Sequence, residues 1–342
     1  MTESKVPELT VVIEWENVVL SELERARRMM RALREQATEL LASSAGGAET
    51  PASDTPLARP IQVLILFDEE AISAHNVRTT VEEVLGSGDG VLEIKVEAAP
   101  GLHYYDLKNL GARRASGELL LFLDSDVIPE PGWLQHLVAA ARRKEVQVVG
   151  GDAFIVPEDL VSKAFSVFWF FNTPHVVFPP DQPTLQPHKQ FFANNVLFER
   201  ATFLAHPFPK MPDGMTRGAC LQLARELQSA GIPVYRELRA RVSHPAPNGW
   251  RHFFTRAMAQ GRDRVFREPA GFGLRQSLRG LRSRLRHLWR TLRDGASRRR
   301  YGITLAETPA IFGIGLLYIG TRFVGEIAAL QFPGFVEKRF RI

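Results

Sequence analysis

The sequence predicts an α/β fold in which a mostly parallel sheet is covered by helices on both faces. Three observations support this prediction. Apolar strand runs alternate with helical patterns through residues 1–150, and the run at 119–123 has almost no polar content. The chain has 342 residues, of which 45% are hydrophobic and 24% charged, enough to form a sizeable core. In such sheets ligands bind beyond the carboxyl ends of the strands.

The elements of the first domain, residues 1–250, follow from hydrophobic spacing. Strands are predicted at 9–13, 61–67, 91–96, 119–123, 146–149, 191–198, 232–235 and 240–242. Helices are predicted at 21–41, 77–85, 107–114, 133–141 and 220–229. A loop rich in Ser, Gly, Ala, Thr and Pro at 42–60 is predicted to be flexible.

A second region, residues 251–342, is predicted to be a basic and apolar helical extension. Leucines recur at steps of three and four from Leu274 to Leu292, which predicts an amphipathic helix. Residues 251–300 hold 15 Arg and no Lys against three acidic residues, giving +12, whereas the whole chain carries only +5. An acidic body with a basic extension favours an anionic partner. An anionic membrane surface is favoured over a solvated helix, and nucleic acid is not expected because no reader motif accompanies the charge.

The uncharged runs are too short or too interrupted to predict a membrane span. Residues 308–321 are uncharged for only 14 residues, about 21 Å of helix against a hydrocarbon core of about 30 Å. Residues 164–180 contain three prolines; core packing is favoured there over an acceptor channel or a membrane-dipping loop. Cys220 is the sole cysteine, and the N-terminus lacks a secretory pattern. The expected location is cytoplasmic, peripheral or monotopic on the inner face of the cell membrane.

Two carboxylates directly follow the strand at 119–123. Asp124 and Asp126 can face one cleft because the chain leaves the pleat at this point. Carboxylate oxygens suit a hard divalent cation, Mg²⁺ or Mn²⁺, that is shared with phosphates. Carboxylates that follow strands also commonly cap the next turn, so the pair alone leaves both interpretations open.

The stretch KNLGARRASGELLLFLDSDVIPEPGWL resembles the corresponding segment of family 2 glycosyltransferases of the GT-A fold. The residues that carry the resemblance are Asn109, Gly111, Ala115, Gly117, Glu118, Asp124, Asp126, Pro129, Pro131, Trp133 and Leu134. The resemblance implies a GT-A sheet and inverting transfer of a sugar from a nucleotide sugar, UDP-linked, to a glycan or lipid-linked acceptor. It also implies a role in cell-envelope polysaccharide synthesis and the use of Mg²⁺ or Mn²⁺.

The resemblance further implies roles for individual residues. The nucleotide sugar is expected to contact Glu16, Asn17, Asp68, Lys108, Asn109 and Asp124. The metal is expected at Asp126 and His244, and the acceptor at Asn194 and Asn195. A lone histidine after a strand, such as His244, is also commonly a capping or solvated residue. The Gly and Ser that usually follow the aspartate corresponding to Asp68 are absent.

The general base departs from the family pattern. Inverting members usually carry an acidic pair at the start of the helix that ends here at Gly231, where this chain has Ala219 and Cys220. The nearest acid is Asp213, which is the candidate base; a turn aspartate before Gly214 is the competing interpretation.

Two other classes of protein compete with an active glycosyltransferase. A catalytically degenerate member acting as a nucleotide-sugar or membrane-binding scaffold would explain the missing acidic pair. A nucleotidyltransferase would need a loop rich in Gly and Lys or Arg after the first strand, and IEWENVVLSE contains none. The sequence does not specify the sugar, the acceptor, the linkage or the oligomeric state.

Overall fold

The computed structural model describes residues 8–19, 21–43, 57, 60–86, 90–169, 178–179, 182–210, 218–267 and 272–334. The chain divides into two compact units. The first comprises Met1–Ala153, Phe178–Lys210 and Ala219–Ser243; the second comprises Phe154–Val177, Met211–Gly218 and His244–Ile342. The second unit therefore takes three stretches of the predicted first domain, 154–177, 211–218 and 244–250, as well as the C-terminal extension. Most of the loop predicted to be flexible, at 42–60, lies outside the described residues.

The elements are numbered here in chain order. The strands are β1 Leu9–Glu14, β2 Ile61–Phe67, β3 Leu92–Ala98, β4 Leu119–Asp124, β5 Ile128–Pro129, β6 Val148–Ile155, β7 Leu185–His188, β8 Asn195–Glu199 and β9 Val234–His244. The helices are α1 Leu23–Ser43, α2 Ala74–Leu85, α3 Tyr104–Arg114, α4 Trp133–Ala141, α5 Leu160–Phe168, α6 Arg200–Ala205, α7 Ala219–Ser229, α8 Gly249–Arg267, α9 Leu274–Arg293, α10 Gly295–Arg300 and α11 Thr308–Gln331.

Among the described residues the strands form one sheet in the order β3-β2-β1-β4-β8-β6-β9-β5, and β7 also pairs with β9. The pairs β3–β2, β2–β1 and β1–β4 are parallel. The pairs β4–β8, β8–β6, β5–β9 and β7–β9 are antiparallel. The predicted α/β fold is confirmed, but the sheet is parallel only in its first half. Hydrophobic periodicity does not distinguish the two halves, because side chains alternate with a period of two in parallel and antiparallel strands alike.

Two glycines of the segment 108–134, which resembles family 2 glycosyltransferases, allow α3 and the turn after it to approach the sheet. A Cβ at Gly111 would collide with a methyl group of Val12 on β1. A Cβ at Gly117 would lie 2.7 Å from the backbone nitrogen of Thr10, and the Gly117 N–H donates to the Thr10 hydroxyl at 2.9 Å. The close approach brings side chains on the first turns of α3 to the carboxyl ends of β1 and β4.

The second unit is helical, as predicted for the extension, but its leucine stripe is only partly exposed. Leu288 and Leu292 of α9 are buried in a core with Ile311 and Ile319 of α11. Leu274 is 57% exposed at the other end of α9. The C-terminal half of the stripe therefore supplies the contact with α11, and the exposed leucines lie toward its N-terminal end.

The helix α11 is longer than the uncharged run at 308–321 suggested. It has 24 residues and continues past Arg322 and Glu326 to Gln331. It is the one helix in the described residues whose length and hydropathy would suffice to cross a bilayer, although a third of its most apolar window is buried inside the protein. The helix can continue past Arg322 and Glu326 because both charged side chains are paired within the second unit. Two of the partners lie far away in the sequence, so the apolar run alone does not reveal these pairs.

The described part of the aromatic segment at 164–180 forms protein core, as favoured from the sequence. Phe165 contacts Trp169, Phe253 and Tyr318 with ring-centroid distances of 4.5, 5.6 and 5.0 Å. Such contacts add to the apolar area that each ring buries. Residues 170–177 lie outside the described residues.

Candidate active site

The carboxyl ends of the neighbouring strands β1 and β4 bring two acidic residues together. Glu14 ends β1 and Asp124 ends β4, and the two are directly opposite one another in the parallel register. Both are buried, at 0% and 3% exposure. Asp68 follows the end of β2, the next strand of the sheet. This is the edge at which an α/β sheet binds ligands.

The carboxylate of Asp124 is held by three side chains. The Lys108 ammonium lies 2.7 Å from Oδ1, and the Tyr104 hydroxyl donates at 2.8 Å to Oδ2. Asn17 Nδ2 donates to the same Oδ2 at 3.1 Å. Lys108 is completely buried and its ammonium lies 4.7 Å from the centre of the Tyr104 ring. The structure thus brings three of the predicted residues, Asn17, Lys108 and Asp124, into one hydrogen-bonded network.

Glu14 belongs to this network and was missed in the sequence analysis. Its Oε1 accepts from Asn17 Nδ2 at 2.8 Å, and its Oε2 accepts from the backbone N–H groups of Glu16 at 2.8 Å and Asn17 at 3.3 Å. These bonds fix the 3₁₀ turn Glu16–Val19 that follows β1. The position of Glu14 at the end of a buried strand was the signal that could have identified it.

Tyr104 was also missed, although its spacing from Lys108 was informative. Residues four apart lie on the same face of a helix, so Tyr104 and Lys108 of α3 both reach Asp124. Burial raises the pKa of Tyr104 well above its usual value, and the nearby Asp124 raises it further. The phenol is therefore a neutral hydrogen-bond donor to the carboxylate.

The pKa values of Glu14 and Asp124 are raised because these carboxylates lie away from water and close together. Burial raises the pKa of Glu14 well above its usual range, and Asp124 adds to the rise while Lys108 opposes it. Burial also raises the pKa of Asp124; Lys108 opposes the rise and Asp126 adds to it. The site therefore has a strong demand for positive charge, which the single buried Lys108 meets only in part.

Glu16 and Asp68 bind backbone at the two loops beside the network. Glu16 Oε2 accepts from the N–H of Tyr104 at 2.8 Å, at the start of α3. Asp68 Oδ1 accepts from the N–H of Glu70 at 3.1 Å and of Gly101 at 3.0 Å. Asp68 thus joins the loop after β2 to the loop after β3 without the Gly and Ser expected at the following positions.

Asn109 is engaged with backbone on the other side of α3. Its Nδ2 donates to the carbonyl of Phe208 at 2.9 Å, and its Oδ1 accepts from the N–H of Phe208 at 3.0 Å. The amide therefore ties α3 to the segment after α6. Asn109 therefore has a structural role.

Asn194 lies at the edge of the site. Because Leu123 pairs with Asn195 in the antiparallel ladder of β4 and β8, Asn194 is level with Asp124. It is 4% exposed, and its Oδ1 has no hydrogen-bond partner among the described residues. A buried carbonyl oxygen of this kind is a ready acceptor for a hydroxyl group.

Asn195, in contrast, is a structural crosslink. Its Oδ1 accepts from Trp133 Nε1 at 2.7 Å, and its Nδ2 donates to the carbonyls of Asp152 at 3.0 Å and Ala240 at 3.1 Å. The residue is completely buried. Its side chain therefore joins α4, β6, β8 and β9, and the acceptor contact expected for it stays a prediction.

The remaining predicted residues are His244 and Asp213. His244 ends β9 and donates through Nδ1 to the carbonyl of Pro245 at 2.8 Å. Asp213 lies outside the described residues. At the start of α7, where a carboxylate was expected, Cys220 Sγ accepts from the Tyr105 hydroxyl at 3.6 Å.

The carboxylates of Asp124 and Asp126 are suitable ligands for a divalent cation that is also bound by a diphosphate. Among the described residues, no group of three or more His, Cys, Asp or Glu side chains is arranged to hold a metal alone. Asp124 is occupied by Lys108, Tyr104 and Asn17, and Asp126, 6% exposed, supplies a second carboxylate two residues later. Mg²⁺ is commonly held by one or two carboxylates together with substrate phosphates.

Residues 101–206, which include α3, β4 and both aspartates, match the profile of Glycosyl transferase family 2. This segment is therefore similar to family 2 glycosyltransferases. The sequence-based recognition is thereby confirmed. A curated relative, the O-antigen biosynthesis protein RfbC of Myxococcus xanthus, is 44% identical over 63 residues. That match covers 18% of this chain and 5% of the relative.

Two solved glycosyltransferase structures show a looser likeness. The mannosyltransferase PcManGT from Pyrobaculum calidifontis, in complex with GDP-Man and Mn²⁺, aligns over 96% of this chain and 76% of its own with 13% identity and a TM-score of 0.48. GalNAc-T7 with UDP, GalNAc and Mn²⁺ aligns over 71% of this chain and 44% of its own, with 12% identity and a TM-score of 0.47.

Glu14 provides a test of the network that does not involve the metal. We expect Glu14→Ala to raise the donor KM with a smaller change in kcat, because the turn holding Asn17 loses its acceptor. Leaving these buried N–H groups without their carboxylate should lower the free energy of unfolding by about 1–3 kcal/mol. Donor titration and urea unfolding measure the two effects.

The matched control for this variant is Glu24→Ala, since Glu24 forms an exposed pair with Arg31 on α1. That pair should contribute less than about 1 kcal/mol. A donor KM unchanged in Glu14→Ala would show that Glu14 does not position the turn.

Proposed function

We propose that this chain is an inverting GT-A glycosyltransferase that moves a sugar from a nucleoside diphosphate sugar to a glycan or lipid-linked acceptor. One observation carries the proposal: Asp124, Lys108, Tyr104 and Asn17 form a hydrogen-bonded network at the carboxyl ends of β1 and β4. The first three of these residues lie within residues 101–206, which match family 2. Asp126 follows it by two residues.

Different residues at the site are proposed to bind different parts of the nucleotide sugar. Asn17 and Asp68 are proposed to contact the nucleoside, and Glu16 fixes the start of α3 beside them. Lys108 favours the ionised form of Asp124, opposing the rise in its pKa, and is proposed to hold it in place for the ribose or the metal. When bound by Asp126 and His244, Mg²⁺ or Mn²⁺ supplies positive charge that stabilises the departing nucleoside diphosphate.

The acceptor side is proposed to include Asn194, whose buried Oδ1 can accept a hydrogen bond from a sugar hydroxyl. Asp213 remains the proposed base that removes the proton of the acceptor hydroxyl. The name of the relative, an O-antigen biosynthesis protein, supports a cell-envelope glycan as acceptor. The proposed location is the cytoplasmic face of the cell membrane. The proposed donor nucleotide is UDP.

The experiment that tests this proposal is a screen of nucleotide sugars for transfer and for hydrolysis that depends on added Mn²⁺ or Mg²⁺. We expect one donor class to be consumed only when the metal is present. Binding of a nucleotide sugar without consumption under any metal condition would contradict an active enzyme.

A second candidate is a catalytically degenerate member that binds nucleotide sugars without transferring them. The start of α7 favours it, because Ala219 and Cys220 stand where a carboxylate base was expected, and Cys220 packs against Tyr105. Donor binding that persists while both transfer and hydrolysis are absent is the result expected for this alternative.

A further inference from the structure

The inward face of α11 carries every charge of that helix. Glu326 is completely buried and its Oε1 lies 2.8 Å from Arg284 of α9 and 3.1 Å from Arg264 of α8. Arg322, one turn earlier on the same helix, lies 3.9 Å from the same oxygen. Both ionisable side chains of α11 that carry a formal charge are therefore paired inside the second unit.

The opposite face of α11 exposes apolar residues between Gly313 and Val324. Leu316 is 40% exposed, Leu317 42% and Val324 55%. Gly313 is exposed on the same side, at a spacing of three to four residues from Leu316 and Leu317. Within the described second unit nothing covers this stripe. Clustered exposed apolar residues of this kind are typical of an interaction surface.

The packing of α8 on α11 is incompatible with a simple membrane span. A Cβ at Gly261 of α8 would collide with the backbone of Arg322, and one at Gly325 of α11 would collide with the backbone of Met258. The two helices are thus in backbone contact. A span through α11 would carry the buried Arg262 and Asp263 of α8 into the hydrocarbon, at a large cost in free energy.

The N-terminal end of α11 adds an apolar groove with a basic rim. The groove, of about 360 Å³, is lined by Trp289, Leu292, Arg293, Arg298, Leu305, Thr308, Pro309 and Phe312. Trp289 is 55% exposed and Leu305 is 73% exposed. Tryptophan beside arginine is the combination found at the boundary between acyl chains and head groups.

We propose that the outward face of α11, together with Trp289 and Leu305, is a membrane-binding face that lies in the plane of an anionic bilayer. This inference is independent of the proposed sugar transfer. Charge selects the partner: the +12 of residues 251–300 attracts anionic lipid, whereas two copies of this chain would bring like charges together. Arginine side chains at the rim can reach lipid phosphates while the apolar stripe lies at the acyl boundary.

The test uses the full chain and vesicles of phosphatidylcholine alone or mixed in roughly equal parts with phosphatidylglycerol. We expect sedimentation with the mixed vesicles, and at least about tenfold weaker binding to phosphatidylcholine or at high salt. The double variant Leu317→Glu with Val324→Glu should lose at least about tenfold in vesicle binding, because both carboxylates would enter the apolar interface.

The matched control is Leu204→Glu, which places the same charge on an exposed leucine of α6, 39% exposed in the first unit. It should bind vesicles like the unmodified chain, and circular dichroism should show all three proteins folded. Bound protein should be released by alkaline carbonate. Equal vesicle binding by the double variant, resistance to carbonate, or a stable dimer without vesicle binding would each overturn the proposal.

Discussion

Replacement of Asp126 by Asn is expected to abolish sugar transfer while leaving the fold intact. The two side chains are nearly isosteric, but the amide lacks the charge that a hard cation requires of its ligand. Asp126 adds to the crowding of carboxylates around Asp124, since its charge raises the pKa of that residue. The variant should therefore unfold at the same or a slightly higher urea concentration than the unmodified chain.

The measurement is transfer of the preferred sugar across a titration of Mn²⁺, with Asp106→Asn as the matched control. Asp106 is an exposed carboxylate on the first turn of α3, two residues from Tyr104. The control should retain full activity. Activity of the Asp126 variant above about a tenth of the unmodified value at saturating metal would show that Asp126 is not a ligand.

Replacement of Lys108 by Met should have the largest effect on stability. Lys108 is completely buried and its ammonium pairs with Asp124 at 2.7 Å, beside a second buried carboxylate at Glu14. Removing one member of a buried pair leaves an uncompensated charge and costs about 3–5 kcal/mol in the free energy of unfolding. Donor binding should be lost together with stability, because Asp124 no longer has a fixed partner.

The loss in the Lys108 variant should depend on pH. Burial raises the pKa of Asp124 and Lys108 opposes that rise, so the pKa should rise further without the lysine. A carboxyl group whose pKa is higher in the folded state stabilises that state below its unfolded pKa and loses this contribution as the pH rises through the folded value. The variant should therefore lose less unfolding free energy at about pH 5 than at about pH 8.

A double variant separates the structural role of Lys108 from its role at the site. Lys108→Met combined with Asp124→Asn removes both charges, so at least about half of the lost unfolding free energy should return while sugar transfer stays absent. Urea unfolding and a transfer assay measure the two outcomes. A Lys108→Met variant as stable as the unmodified chain at neutral pH would contradict the buried pair.

Several features of this protein followed from its sequence alone. The alternation of apolar strand runs and helical patterns was sufficient for the α/β fold, because the two elements have different side-chain periods. Asp124 and Asp126 were located because polar residues that follow a buried strand must lie at the ligand-binding edge. The glycines of the recognised segment were identified by spacing, and the structure supplies the reason at Gly111 and Gly117, where a Cβ would meet β1.

Other features depended on contacts between residues far apart in the chain. Asn194 and Asn195 are adjacent in sequence, yet one has a buried carbonyl oxygen without a partner and the other joins three strands to α4. Local spacing cannot distinguish them, because their partners come from other strands and helices. The same holds for Glu14, whose importance depends on the parallel register that places it opposite Asp124.

The C-terminal region shows the same limit most clearly. The leucine stripe of α9 predicted an amphipathic helix correctly, but only the tertiary structure decided which leucines face α11 and which face outward. Arg322 and Glu326 interrupt the apolar run in the sequence. Arg264 and Arg284 from other helices pair with Glu326, however, and the helix continues to Gln331. A periodic pattern determines which face of a helix is apolar, and the packing partners determine whether that face is core or surface.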